Sequence, residues 1–129
     1  MTRIVRSAAV SKLPTETTEQ IKLAVWLTKI GIRFTASANG GRRSLMEGIK
    51  LKRMGVSAGF PDIEVPLPSG PYHGLYIELK KQKGGKLSPA QVEWLQYLRD
   101  KGYYAERANG FEEAKEMVLH YLSFTKKAA

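Results

Sequence analysis

The sequence predicts an α/β fold in which a mixed β-sheet of about four strands is flanked by helices. Three observations indicate this class. Helical and strand-like patterns alternate along most of the 129 residues, turn residues join the two central strands, and the last strand lies between two helices. A hairpin is antiparallel and strands joined through a helix are commonly parallel, so one sheet that holds both is mixed.

Composition indicates a single basic domain. Lys and Arg number 21 against 12 Asp and Glu, which gives a net charge of +9, and there is no cysteine. The lack of cysteine excludes disulfides, thiolate metal sites and a cysteine nucleophile. The positive charge favours a polyanionic partner. No apolar stretch is long enough for a membrane span, so we expect a cytoplasmic protein without a membrane partner.

The predicted domain covers residues 14–124, between a flexible basic arm at residues 1–13 and a tail at residues 125–129. Its first helix is predicted over residues 17–30, with Thr17 and Gln20 as a capping box and Gly31 at its end. The apolar positions that recur at helical spacing are Ile21, Ala24, Val25 and Thr28. A short strand over residues 32–36, a turn at 39–43 and a basic helix over 44–54 follow.

Two central strands are predicted over residues 62–67 and 75–80. In both, apolar residues occupy the odd-numbered positions, which is typical of half-buried strands. The Pro- and Gly-rich segment between them predicts an antiparallel hairpin centred near Gly70. This register puts Asp62 opposite Glu78.

The last third alternates again. Ser88 is predicted to cap a helix that begins with Pro89, has Gln91 as the other half of its capping box and ends at Gly102. A strand over residues 103–108 follows. Residues 109–112 then cap a last helix, whose apolar stripe consists of Ala114, Met117, Val118, Tyr121 and Leu122.

The chemistry indicated by the hairpin is phosphodiester hydrolysis. Two carboxylates on neighbouring strands, with Cβ atoms about 5 Å apart, repel each other unless a cation compensates them. Mg²⁺ binds through one or two carboxylates and keeps sites for water and phosphate oxygens. Lys80 lies two residues beyond Glu78 on the same face, where its ammonium can hold the attacking water or stabilise the phosphate in the transition state.

These residues resemble a known motif. Pro61-Asp62, fifteen further residues and Glu78-Leu79-Lys80 resemble the PD-(D/E)xK motif of the restriction-endonuclease-like nucleases. Three further segments, at residues 39–43, 52–63 and 84–91, are similar in order and spacing to the VRR-NUC nuclease family. The resemblance extends over about residues 16–121 and points to stand-alone members of phage or bacterial type.

The resemblance implies a restriction-endonuclease-like core and a DNA endonuclease that uses Mg²⁺, or Mn²⁺ as a substitute. It also implies a homodimer that prefers four-way junctions or other branched DNA. Asp62 and Glu78 would be metal ligands and Leu79 would contribute its backbone carbonyl. Lys80 would be the catalytic lysine, with Gln91 beside it.

Several assignments stay open on the sequence alone. Glu16 is the preferred upstream helix acid and Glu19 the other candidate, although an acid near a helix N-terminus is also expected without any function. Gln91 has a purely structural alternative as a capping residue. The predicted DNA contacts are Arg42, Arg43, Lys50, Lys52, Arg53, Lys81, Lys83 and Lys86.

Two other functions also fit the pattern. One is a non-catalytic DNA-binding module on the same fold, which the intact acids and lysine argue against. The other is a sequence-specific restriction-type endonuclease, which would cut a defined duplex into discrete fragments.

Overall fold

The computed structural model describes residues 15–37 and 44–128 of the chain, without the side chains of residues 125–128. The predicted basic arm, the predicted turn at residues 39–43 and Ala129 lie outside the described residues. The helices are α1 (Glu16–Lys29), α2 (Leu45–Arg53), α3 (Pro89–Asp100) and α4 (Phe111–Ala128). The strands are β1 (Thr35–Ala36), β2 (Ile63–Val65), β3 (Leu75–Lys80) and β4 (Tyr104–Asn109). The predicted order of elements is confirmed.

The strands form one mixed sheet in the order β1-β2-β3-β4. The β1–β2 and β2–β3 pairs are antiparallel, whereas β4 runs parallel to β3 because α3 connects them. Ile63 pairs with Ile77 and Val65 with Leu75, so the hairpin is centred on Gly70 as predicted. Extending this register by one residue puts Asp62 opposite Glu78.

Helices cover both faces of the sheet. Helices α1 and α4 pack on the face that carries the odd-numbered residues of β2 and β3, and α3 packs on the other face against Tyr76 and Ala105. Every residue of β3 is therefore buried. The expectation of a half-buried strand is wrong for β3, because α3 shields the even-numbered side chains from solvent.

The predicted buried face of α1 is wrong. Leu23 and Leu27 are fully buried, whereas Ile21 and Val25 are 57% and 62% exposed. This helix has apolar residues on two sides, and periodicity does not tell which side meets the sheet. Its capping box is formed by Thr15 and Thr18, two residues earlier than predicted.

The other helix ends are close to those predicted. Ser44 caps α2, and Ser88 caps α3 in a capping box with Gln91. Helix α4 continues to Ala128, so residues 125–128, which were expected to form a tail, are helical. Lys and Ala are favourable helix residues, and nothing in this segment stops the helix. None of the helices among the described residues is long and apolar enough to cross a membrane.

A glycine next to the hairpin is predicted to be essential for stability. Gly59 has a φ of +86°, and a Cβ there would lie 2.6 Å from the carbonyl carbon of Ala90 at the start of α3. We expect Gly59→Ala to lower the free energy of unfolding by about 2–4 kcal/mol, because it combines an unfavourable φ with a clash against backbone. Urea unfolding followed by circular dichroism measures this loss.

Gly48 provides the matched control. It lies inside α2, and a Cβ there would have no atom within 4 Å. Gly48→Ala is therefore expected to leave stability unchanged or to raise it by up to about 1 kcal/mol through helix propensity. Equal unfolding midpoints for the two variants would contradict the packing that we describe at Gly59.

Candidate active site

Two carboxyl groups meet at the end of the central hairpin. Asp62 immediately precedes β2, and Glu78 lies on β3 with its side chain on the face that α3 covers. The two carboxyl groups lie close enough that each affects the pKa of the other, and the backbone amide of Leu79 donates to Asp62 Oδ2 at 2.8 Å. The hairpin register therefore brings together the two acids that the sequence singled out.

Burial changes the protonation of this pair. Burial, followed by the charge of Asp62, raises the pKa of Glu78 to about 8. Burial also raises the pKa of Asp62, although the Leu79 amide opposes that shift. Glu78 therefore keeps its proton at neutral pH in the chain alone. Its other oxygen, Oε1, is buried without a hydrogen-bond partner.

Lys80 and Gln91 both approach the same oxygen of Glu78. Lys80 is only 8% exposed, and its Nζ lies 3.9 Å from Glu78 Oε2. The Nε2 of Gln91 donates to Glu78 Oε2 at 3.0 Å, while its Oε1 accepts from the amide of Ser88 at 2.8 Å. The capping role and the contact with the acidic pair are thus compatible, since one side-chain amide performs both.

The backbone next to the pair is also unusual. The backbone carbonyls of Gly74 and Lys80 accept hydrogen bonds from N–H groups at the two ends of β4. The backbone polar groups of the even-numbered residues of β3 therefore point towards β4, and those of the odd-numbered residues point towards β2. In the extended β2–β3 register Leu79 lies opposite Pro61. Proline has no N–H to donate. The Leu79 carbonyl thus lacks its usual ladder donor on the side of β3 where Asp62 lies.

The two acids of α1 have different surroundings. The negative charge of Glu16 raises the pKa of both Asp62 and Glu78, so its carboxylate is near the pair. Glu19 is 1% exposed and accepts from the amide of Phe111 at 2.7 Å. It therefore satisfies a backbone donor in the first turn of α4, where the helix dipole favours an anion.

The acidic pair is not part of a larger preformed cluster. In the described part of the chain, no three His, Cys, Asp or Glu side chains converge closely enough to hold a metal. A hard divalent cation such as Mg²⁺ needs only one or two carboxylates, because water and phosphate oxygens complete its coordination. The side chains that converge here are those of Asp62 and Glu78.

The predicted basic contacts occupy two surfaces. Arg42 and Arg43 lie outside the described residues. Helix α2 buries none of its residues, and its last turn carries three exposed cations, Lys50, Lys52 and Arg53. Residues 81–87, which we call the lysine loop, follow Lys80 directly and carry three more exposed cations, Lys81, Lys83 and Lys86.

One residue beside the pair is not singled out by any motif in the sequence. Arg107 on β4 pairs with Glu78 in the parallel register of the sheet. Its guanidinium donates to the carbonyl of Gly85 at 2.9 Å and to Asn109 Oδ1 at 2.8 Å. The face of β4 that Arg107 occupies and its register with β3 depend on the assembled sheet and are not readable from the sequence.

Known proteins are similar to this chain. Residues 36–112 match the family model described as the VRR-NUC domain. A solved structure described as a VRR_NUC domain protein is 31% identical, with a TM-score of 0.76 over 85% of this chain and 89% of the other. A second, described as a VRR_NUC domain, is 22% identical, with a TM-score of 0.57 over 82% of this chain and 96% of the other, which supports the fold alone. A search of curated proteins finds no match.

Proposed function

Since the chain belongs to the VRR-NUC family of nuclease-type domains that act on DNA, we propose that it is a metal-dependent DNA endonuclease. The observation that carries this proposal is the buried pair of Asp62 and Glu78 with Lys80 beside it. A buried carboxyl pair in which the pKa of Glu78 is raised to about 8, and whose Glu78 Oε1 has no hydrogen-bond partner, is suited to a cation that replaces the proton.

Mg²⁺, with Mn²⁺ as its substitute, is the cofactor that we propose. Asp62 and Glu78 would hold it with the Leu79 carbonyl, which Pro61 leaves without a ladder donor. Glu16 is the nearby acid that we propose as a further ligand, directly or through water. When bound, the ion supplies Lewis-acid stabilisation of negative charge on the phosphate.

The remaining residues act on the water and on the phosphate. Lys80 places an ammonium beside the carboxyl pair, where it can hold the attacking water and neutralise charge that develops in the transition state. Gln91 fixes the orientation of Glu78 through its hydrogen bond to Oε2. In this scheme Lys80 and the two acids are catalytic residues, and Gln91 completes the site.

DNA binding is proposed to depend mainly on the phosphate backbone. The lysine loop presents its cations directly after Lys80, and Lys52 of α2 lines a cleft of about 610 Å³ formed with residues 55–59. Arg42 and Arg43, which precede α2 in the sequence, are proposed to contact DNA as well. Contacts to phosphates position DNA without reading its sequence.

Selectivity is therefore proposed to be for branched shape, such as a four-way junction, with two active sites arranged by a homodimer. The resemblance to stand-alone VRR-NUC proteins supports this, as does the exposed apolar face of α2, where Leu45 and Met46 are 79% and 73% exposed. A solution mass of twice the 14.4 kDa of one chain, measured by sedimentation, is the expected result.

A cleavage assay on a panel of DNA substrates tests the function. The purified chain is incubated with supercoiled plasmid, a labelled four-way junction, a flap and a linear duplex, with Mg²⁺ or with EDTA. We expect nicking in Mg²⁺ only. Junction cleavage should be at least about tenfold faster than duplex cleavage, because the protein is proposed to contact the DNA backbone and to select DNA by its shape. Discrete duplex fragments would indicate a restriction-type enzyme instead, and a folded chain that binds but never cleaves would indicate a binding module.

A further inference from the structure

The lysine loop is attached to the body of the protein at two points. Near its start, Gln82 Nε2 donates to Glu19 Oε1 at 3.4 Å. In its middle, the Gly85 carbonyl accepts from Arg107 Nη2 at 2.9 Å. The second contact is made by a partly buried side chain on the strand next to β3. The backbone of this loop is therefore held against the sheet although its lysines are exposed.

Gly85 lies directly against the side chain of Lys80. A Cβ built at Gly85 would be 2.9 Å from the Cβ of Lys80 and 3.3 Å from its Cγ and Cδ. The backbone at Gly85 thus covers the aliphatic part of Lys80 and restricts where the ammonium can go. Such packing matters for a flexible side chain, because a buried lysine otherwise has many rotamers available.

We propose that Arg107 is a positioning residue that holds Gly85 against Lys80 and thereby keeps the Lys80 ammonium beside Glu78. The inference rests on the proposed function, in which Lys80 acts on the scissile phosphate. Arg107 itself touches neither acid within salt-bridge distance, because its donors are directed to Gly85 and to Asn109 Oδ1. Arg107 affects the reaction indirectly, by holding the lysine loop in place against Lys80.

An arginine is required at this position because of its geometry. The guanidinium is a planar fork, and here Nε and Nη2 bind Asn109 Oδ1 while Nη2 also reaches the Gly85 carbonyl. A lysine keeps the charge, but its ammonium lies one bond closer to the backbone than Nη2 and it has no Nε donor, so it does not reproduce this bridge. Arg107→Lys therefore removes the attachment of the loop while preserving the local charge.

The first test is proteolysis, which does not depend on nuclease activity. Trypsin cleaves after lysines, and the loop contains three of them. We expect Arg107→Lys to raise the rate of tryptic cleavage within residues 81–87 by about tenfold, because proteolysis follows the population of the open loop. The matched control is Arg99→Lys, which loses a similar contact, from Arg99 Nε to the Ala105 carbonyl at 2.8 Å, but lies outside the lysine loop.

The second test is kinetic. With protein in excess over DNA, we expect Arg107→Lys to lower the single-turnover cleavage rate at least about tenfold, because small misplacements of a catalytic group are costly. The Kd for DNA in Ca²⁺ should change less than about threefold, since every loop lysine is retained. Gly85→Ala should reproduce the rate loss, because its Cβ displaces Lys80 while Arg107 remains intact.

The outcomes separate the two proposals. Unchanged loop proteolysis in Arg107→Lys, or an unchanged cleavage rate in both variants, would overturn the positioning role. If Arg107 only stabilised the fold, Arg107→Lys and Arg99→Lys would show the same rate of tryptic cleavage within the lysine loop. An inactive wild-type chain whose loop is still released by Arg107→Lys would overturn the proposed function while the loop attachment stands.

Discussion

Lys80→Ala is expected to lower the rate of DNA strand cleavage by about a thousandfold, which is the scale of losing one preorganised group that stabilises transition-state charge. The ammonium is nearly buried and lies 3.9 Å from Glu78 Oε2, so solvent cannot readily supply a substitute. Supercoiled plasmid with Mg²⁺ is the substrate, and the conversion to nicked circles is followed on agarose gels.

Lys81→Ala is the control for Lys80→Ala. Lys81 follows in the sequence but is exposed at the start of the lysine loop. Its loss should weaken DNA binding in Ca²⁺ a few-fold through one phosphate contact and leave the rate at saturating protein unchanged. Equal nicking by the wild-type chain and Lys80→Ala would remove Lys80 from the mechanism.

The second large effect concerns Glu78, and it begins with the stability of the metal-free chain. The pKa of Glu78 is about 8 in the fold, against an ordinary value of 4.5. Between these two values the folded state binds a proton that the unfolded state releases, so the free energy of unfolding falls as pH rises. The stabilisation is complete below pH 4.5 and is lost as pH passes 8.

Urea unfolding in EDTA at pH 5, 7 and 9 measures this trend. Glu78→Gln has no proton to lose at this position, so its stability should depend much less on pH over the same range. The same slope in the variant and the wild-type chain would show that another group dominates and that Glu78 ionises normally.

The stabilisation of the fold by Mg²⁺ should grow with pH, whereas the stabilisation by the proton on Glu78 declines. A cation bound by the ionised pair displaces the proton of Glu78, so the rise in Tm on adding Mg²⁺ is expected to increase between pH 6 and pH 8.5. Glu78→Gln should lose this rise and all detectable cleavage. A Tm increase of equal size in the variant would place the ion elsewhere on the chain.

The central hairpin shows which features of the site local sequence patterns can predict. Alternation in residues 62–67 and 75–80, with a turn between them, was sufficient to predict the register that puts Asp62 opposite Glu78, because strand period and turn position together leave one alignment. The cap at Ser88 was equally readable, since it depends on residues three positions apart. That Gln91 also reaches Glu78 depends on how α3 packs.

Other features depended on contacts between segments that are distant in the sequence. Helix α1 has apolar side chains on two sides, and only its packing on the sheet distinguishes the buried Leu23 and Leu27 from the exposed Ile21 and Val25. Glu16 and Glu19 are equivalent as helix acids until α4 brings the amide of Phe111 to Glu19. Packing therefore makes Glu19 a capping acid, whereas the charge of Glu16 raises the pKa of the acidic pair.

The amino-acid pattern was enough for the fold class, the order of elements and the acidic pair with its lysine, because each follows from short-range periodicity, turn chemistry or residue spacing. The buried face of α1, the burial of both sides of β3 and the place of Arg107 beside Glu78 followed from assembly of the sheet. A parallel pairing such as that of β3 with β4 joins segments through a helix, and no local signal specifies its register.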